Sequence, residues 1–209
     1  MTLALKYRSE CLEQLQKLRM VSAETILSAS DVLAVKSFEA GLDFVHPACL
    51  AFLENWKRSN AEGKVMTLWV FHRVLVTIFR QGYERSLSPL LREWKKKGWD
   101  LFLSLIGPDI VQMKRASRSN YFKVMRLPPL LAHTPNNTLP DGTECRLFAE
   151  DSMRALFTSW GGSSVRTARH PPLAEMEYFY EEFATDRGTS PRRRREEVTR
   201  EPEAEPEPG

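Results

Sequence analysis

The stretch that decides the fold is residues 65–79, VMTLWVFHRVLVTIF, in which Thr67, His72, Arg73 and Thr77 are the polar residues. A segment that is apolar nearly all round is typical of a helix buried in a core or in a membrane. A membrane span needs about 20 apolar residues, whereas this run is shorter and carries Arg73 near its middle. The sequence therefore predicts the buried central helix of a soluble protein.

Amphipathic patterns precede this run. Apolar residues recur at helical spacing over residues 3–20 and again over residues 22–35, which predicts two helices. Gly41 and Pro47 are expected to break the pattern, and Pro47 to open a short helix at residues 48–56.

Further helices are predicted after the central run. Gly98 is expected to end the first of them, and Gly107-Pro108 the second. Residues 127–142 hold four prolines and are expected to form a loop. The three predicted helices cover residues 87–97, 99–106 and 148–160.

These elements predict an all-α protein, with a single helical bundle over residues 1–160 and a linker and disordered charged tail over residues 161–209. Within residues 187–209 only Val198 and Ala204 are apolar. Such a segment buries too little surface to offset the entropy that ordering costs. An isolated acidic-aromatic cluster, YFYEEF, occupies residues 178–183.

Composition limits the function classes. The 30 Lys and Arg are nearly balanced by 27 Asp and Glu, for a net charge of +3, whereas dedicated nucleic-acid binders are usually more basic. Cys11, Cys49 and Cys145 are too few and too widely spaced for a disulfide framework or a zinc site, which favours a reducing compartment. The first residues lack the apolar core of a signal peptide, so we expect an intracellular protein.

Motifs that carry chemistry are not found in the sequence. The four histidines include no pair at helical metal-binding spacing, and His46 with Cys49 is not completed to a four-ligand set. Neither a glycine-rich phosphate loop nor a Gly-x-Ser-x-Gly elbow occurs. We therefore expect no catalysis, no cofactor and no metal. The arginines at 192–195 fit an import signal or phosphate-binding arm and equally a solvated charge run.

Two segments nevertheless resemble a known family. Residues 38–44, FEAGLDF, followed by AFLE at 51–54, resemble the first homology region of the Bcl-2 apoptosis regulators, Phe-x-x-Gly-Val-Asn-Trp-Gly-Arg and then Ala-Phe-Phe-Glu. Residues 94–102, WKKKGWDLF, look like the second region, Trp-x4-Gly-Gly-Trp-x-x-Phe. The apolar run lies between them, where that fold has a central hydrophobic hairpin.

Within that group the chain is most similar to the adenovirus early small T antigens, which are viral Bcl-2 mimics. LDFVHP at residues 42–47 and AFLENWK at 51–57 resemble Leu-Asp-Phe-Ser-Thr-Pro-Gly-Arg and Ala-Phe-Leu-x-Phe of that family. The family's Gly-Arg is missing, and His46, which holds no fixed charge at neutral pH, lies near its place. The second region is two residues shorter, with Lys97 in place of a glycine.

The resemblance implies a viral inhibitor of host apoptosis, acting in the host cytoplasm, at the mitochondrial surface or in the nucleus. It would hold host pro-apoptotic amphipathic helices in a hydrophobic groove. Gly41 would let the partner helix approach closely; alternatively, it ends a helix at positive φ. The implied groove residues, which are also good core candidates, are Phe38, Gly41, Leu42, Phe44, Phe52, Leu53 and Trp99.

A second function stays open from the residues themselves. A helical viral accessory or adaptor protein would bind nucleic acid or transcription factors through Arg115, Arg118, Lys123 and the tail arginines. Steep salt dependence of binding would distinguish that adaptor from a groove binder.

Overall fold

The computed structural model describes residues 2–18, 23–84, 88–131 and 147–162, and within these ranges the chain is helical and contains no strand. The predicted all-α bundle is therefore confirmed. A π-helical turn, Trp99–Leu103, continues α5. The helices are α1 (Leu3–Gln16), α2 (Ala23–Ala40), α3 (Leu42–Arg58), α4 (Ala61–Glu84), α5 (Ser88–Gly98), α6 (Gly107–Ala116), α7 (Arg118–Met125), α8 (Leu127–Leu131) and α9 (Glu150–Ser159).

Helix α4 is the centre of the bundle. Every residue from 65 to 79 is buried except Arg73, which is partly buried. The helices α2, α3, α5, α7 and α8 all contact α4. The predicted buried helix is thus confirmed, and no helix in the described ranges is both long and apolar enough to cross a membrane.

Helix α1 runs alongside α3. The ring of Tyr7 meets the ring of Phe44 edge-on, with centroids 5.6 Å apart, and one turn later the Cys11 thiol lies 3.9 Å from the Ala48 carbonyl oxygen. Because the contacts advance in the same direction along both helices, α1 and α3 are parallel. Their packing covers the outer face of α3.

Pro47 does not interrupt the chain as the sequence suggested. Helix α3 begins at Leu42 and continues through Pro47, which is buried. Proline inside a helix removes one hydrogen bond and costs about 3 kcal/mol. Burial of the face that carries Phe44, Ala48 and Phe52 offsets this cost, since each large apolar side chain contributes about 1.5–3 kcal/mol.

Glycines and prolines in the second half also act differently from expectation. The helix does not end at Gly98, because the π-helical turn follows without a break. The helical segment predicted at 99–106 does end before Gly107-Pro108, although already at Leu103. Gly107-Pro108 then opens α6, since a proline in the first turn lacks only an N–H that would have no partner there.

The prediction of a loop at residues 127–142 was wrong for its first five residues, which form the short helix α8. Within the helical stretch predicted at 148–160, the structure has α9, which confirms a helix there. The remainder of the expected loop, from residue 132, and the predicted tail from residue 163 lie outside the described residues.

Candidate functional site

The two homology-like segments meet in one aromatic cluster, formed by Phe44, Phe52, Phe71, Trp94 and Phe102. All five side chains are fully buried. The ring of Trp94 lies 6.5 Å from Phe44, 6.3 Å from Phe52 and 6.2 Å from Phe71. Phe102 lies 5.7 Å from Phe52 and 5.2 Å from Phe71. Segments about fifty residues apart in sequence therefore share one core around α4.

The absence of a side chain at Gly98 brings the second segment close to α4. A Cβ placed on Gly98 would lie 2.4 Å from Cζ of Phe71, closer than two carbon atoms can pack. The π-helical turn that follows buries Phe102 and Leu103. Glycine at this position thus permits the close approach on which the aromatic cluster depends.

Two of the seven predicted groove residues belong to this core. Phe44 and Phe52 have no solvent-exposed surface, so in this conformation they support the bundle from inside and do not line an open cleft. The sequence could not separate the two roles, because a groove floor and a core both require large apolar side chains at helical spacing.

Three other predicted residues, Phe38, Gly41 and Leu42, lie at the end of α2 and the start of α3. We call the surface formed by Val35, Phe38, Gly41 and Leu42 the α2–α3 corner. Leu42 is 53% exposed and Val35 is 50% exposed, while Phe38 packs partly against the core. Nothing lies within 4 Å of a Cβ built on Gly41. The corner is therefore an accessible apolar surface.

The backbone at Gly41 also requires glycine. Its φ of 63° and ψ of −142° place it where side chains are strained, and its N–H donates to the Ser37 carbonyl oxygen over 2.9 Å. The interpretation that Gly41 ends a helix at positive φ is confirmed, whereas its role in admitting a partner helix stays a prediction. Gly41 also leaves open space above the corner.

The last two predicted residues lie apart from the corner. Leu53 is eleven residues further along α3 than Leu42, about 16 Å of helix rise. The Trp99 ring is partly covered by Phe148, with ring centroids 6.3 Å apart. The seven residues thus divide into a buried pair, an exposed corner and two separate half-buried positions.

Charges near the corner differ from the pattern expected of the family. Glu39 and Asp43 are exposed on either side of Gly41, and His46 is exposed one turn into α3. Lys36 pairs with Glu10 of α1, with Nζ 2.6 Å from Oε2. The corner therefore presents apolar side chains bordered by carboxylates.

A second surface combines cations with aromatic rings. Phe122 is 54% exposed, and the Arg118 guanidinium lies 5.5 Å from its ring centroid. The Lys114 ammonium lies 5.4 Å from the Tyr121 ring and donates to the Gly161 carbonyl oxygen over 2.9 Å. The surrounding cleft, which we call the α7–α9 cleft, has a volume of about 390 Å³ and is lined by Lys114, Arg118, Tyr121, Phe122, Met125, Phe157, Gly161 and Gly162.

The sequence had singled out only part of this surface. Arg118 lines the cleft and Arg115 is exposed on α6, whereas Lys123 is partly buried. Tyr121 and Phe122 were not among the predicted residues. The four-residue spacing of Arg118 and Phe122 on one helix is the signal that could have identified them.

Side chains suited to metal binding do not converge in the described part of the chain. No group of three or more His, Cys, Asp or Glu side chains there is arranged to hold a metal ion. Cys11 and Cys49 are buried, and burial raises the pKa of each thiol far above its ordinary value. Both thiols are therefore protonated and poorly nucleophilic at neutral pH.

Comparisons with known proteins add no assignment. No protein-family profile, no curated protein and no solved structure matches the chain.

Proposed function

We propose that the protein is a viral, Bcl-2-like inhibitor of host cell death that binds amphipathic death-promoting helices. The observation that carries the proposal is the aromatic cluster, in which Phe44 and Phe52 of the first homology-like segment pack with Trp94 and Phe102 of the second. Each motif alone is short and degenerate. Their joint packing around one buried helix is what the resemblance leads us to expect.

The α2–α3 corner is the surface best suited to the partner. An amphipathic helix would lay its apolar stripe on Val35, Phe38 and Leu42, and the open space above Gly41 would admit its backbone. Each large side chain that becomes fully buried contributes about 1.5–3 kcal/mol. Exposed Glu39 and Asp43 favour a partner with Lys or Arg beside its apolar stripe.

The mechanism is sequestration and involves neither a reaction nor a cofactor. A death-promoting helix held at the corner is unavailable for permeabilising mitochondria. The core residues Phe44 and Phe52 would act indirectly, because they fix the position of the first turns of α3 under the corner.

A peptide-binding screen tests this function. The full chain is titrated with a panel of host death-promoting helical peptides, and the same chain is titrated with DNA and RNA, both at several salt concentrations. The proposal requires saturable binding of at least one peptide with weak salt dependence. Binding of nucleic acid alone, with affinity falling steeply with salt, would favour the adaptor function through Arg115 and Arg118 instead.

A further inference from the structure

Three cations at the α7–α9 cleft, Lys114, Arg115 and Arg118, form no ion pair with an acidic side chain in the part of the chain that the structure describes. Lys114 contacts a carbonyl oxygen and an aromatic ring, and Arg118 contacts an aromatic ring. Arg115 is exposed on the same helix as Lys114. The chemistry of the cleft therefore complements a ligand that brings negative charge and aromatic or apolar groups together.

The chain itself contains a segment with this composition. Residues 175–183, EMEYFYEEF, hold four glutamates, four aromatic residues and one methionine, without a lysine or arginine. Glutamates complement the three cations, and an aromatic side chain complements the exposed ring of Phe122. The match in charge and in ring chemistry involves the four glutamates and the four aromatic residues of the segment.

The position of the segment in the chain favours an intramolecular contact. Gly162 lines the cleft and is the last described residue before the tail, so the tail continues from the cleft itself. Twelve residues, 163–174, separate it from the segment. The average end-to-end distance of a random-coil chain of twelve residues is about 20 Å, so a connection of this length can reach the cleft. It supplies an effective concentration on the order of millimolar, so weak contacts suffice for occupancy.

We propose that the acidic-aromatic segment at residues 175–183 docks into the α7–α9 cleft of its own chain. The docked segment covers Phe122 and neutralises Lys114 and Arg118. It thereby competes with other acidic or nucleic-acid ligands for this cationic and aromatic surface. This inference does not depend on the proposed binding of helices at the α2–α3 corner.

Hydrogen–deuterium exchange of the full chain tests the docking, with labelling times from below one second upward. In the wild type, amides of residues 175–183 exchange at least about fivefold more slowly than in an Arg118→Glu/Phe122→Ser variant. Both changed side chains are exposed, so the bundle remains folded. A matched control is Arg92→Glu, which reverses an exposed charge on α5 and leaves the protection unchanged.

Concentration and charge reversal complete the test. Protection that is constant from micromolar to hundred-micromolar protein supports docking within one chain, whereas protection that rises with concentration assigns the cleft to a second copy and overturns the proposal. Reversing the four glutamates to lysine abolishes protection, and adding Lys114→Glu and Arg118→Glu restores it. Free exchange in the wild type, or protection insensitive to the cleft variants, also overturns the proposal.

Discussion

Gly98 and Phe71 are in direct contact where α5 passes over the central helix, and a Cβ on Gly98 would lie 2.4 Å from Phe71 Cζ. This contact explains why a glycine precedes Trp99 in the second homology-like segment. A glycine there lets the segment lie directly on α4, and Trp94 and Phe102 then pack around the ring of Phe71.

Replacing Gly98 with alanine is expected to destabilise the protein by about 1–3 kcal/mol, because the methyl group overpacks the core. Phe71→Leu alone also destabilises, by opening a cavity. The double variant is expected to lose at least about 1 kcal/mol less than the sum of the two single losses. Urea unfolding of the four proteins measures this coupling. Strict additivity, or a neutral Gly98→Ala, would contradict the packing described.

Gly41→Ala is expected to cost about 1–3 kcal/mol, because alanine is strained at a φ of 63°. Since nothing lies within 4 Å of the new Cβ, Gly41→Glu should cost about the same as Gly41→Ala. Thermal melts followed by circular dichroism measure both, with Glu39→Ala as an exposed control on the preceding helix. An unchanged melting temperature in both variants would show that Gly41 has no conformational role. If both variants have lower melting temperatures, a loss of peptide binding by Gly41→Glu would reflect its reduced stability as well as any blocked contact.

Leu75→Asp places a charge in the centre of α4, at a position with no exposed surface, and should destabilise by several kcal/mol. Leu105→Asp, at a position 53% exposed, is the matched control and should change stability little.

We also expect the wild type to stay in solution without detergent. Partition into detergent micelles and resistance to extraction by alkaline carbonate would instead support a membrane location of α4.

Cys11 and Cys49 should resist alkylation in the folded protein. Burial raises the pKa of both thiols, so they stay protonated at a pH near 8.5, where a free cysteine ionises. The pKa of each thiol is higher in the folded chain than in the unfolded chain, so burial of the protonated thiols contributes to stability. This contribution is complete below about pH 8.5 and is lost as the pH rises further. Iodoacetamide labelling at pH 8.5 with and without urea, read by peptide mass spectrometry, checks this. Labelling of Cys11 in the native chain at the rate of free cysteine would refute it.

The sequence was sufficient for the fold class and for the central helix, because a long apolar run interrupted by few polar residues has few alternatives in water. It was insufficient at Pro47 and at Gly107-Pro108. Glycine and proline can end a helix, begin one or lie inside one. Which of these occurs depends on how the surrounding helices pack in three dimensions, and a local sequence pattern does not contain that information.

The candidate site was predicted only in part. Phe38, Gly41 and Leu42 lie at the end of α2 and the start of α3, where Leu42 is exposed and Phe38 is partly buried, and their role in a groove stays a prediction. Phe44 and Phe52 were assigned to the groove and lie in the core. Periodicity shows which residues share a helix face, but it does not show whether another helix covers that face. Of the α7–α9 cleft only Arg118 was predicted, because the lining joins α6 and α7 to Phe157, Gly161 and Gly162, which are distant from them in sequence.

The central claim is tested most directly by titrating a labelled death-promoting helical peptide with the full chain and two single variants, followed by fluorescence polarisation. Leu42 and Leu105 are equally exposed, so Leu42→Glu and Leu105→Glu remove the same apolar surface at different places. Glutamate in the first turn of α3 also suits the helix dipole, so Leu42→Glu should melt like the wild type. The account predicts at least about tenfold weaker peptide binding for Leu42→Glu, about 1.4 kcal/mol, and unchanged binding for Leu105→Glu. Wild-type affinity in a folded Leu42→Glu protein would contradict helix binding at the α2–α3 corner.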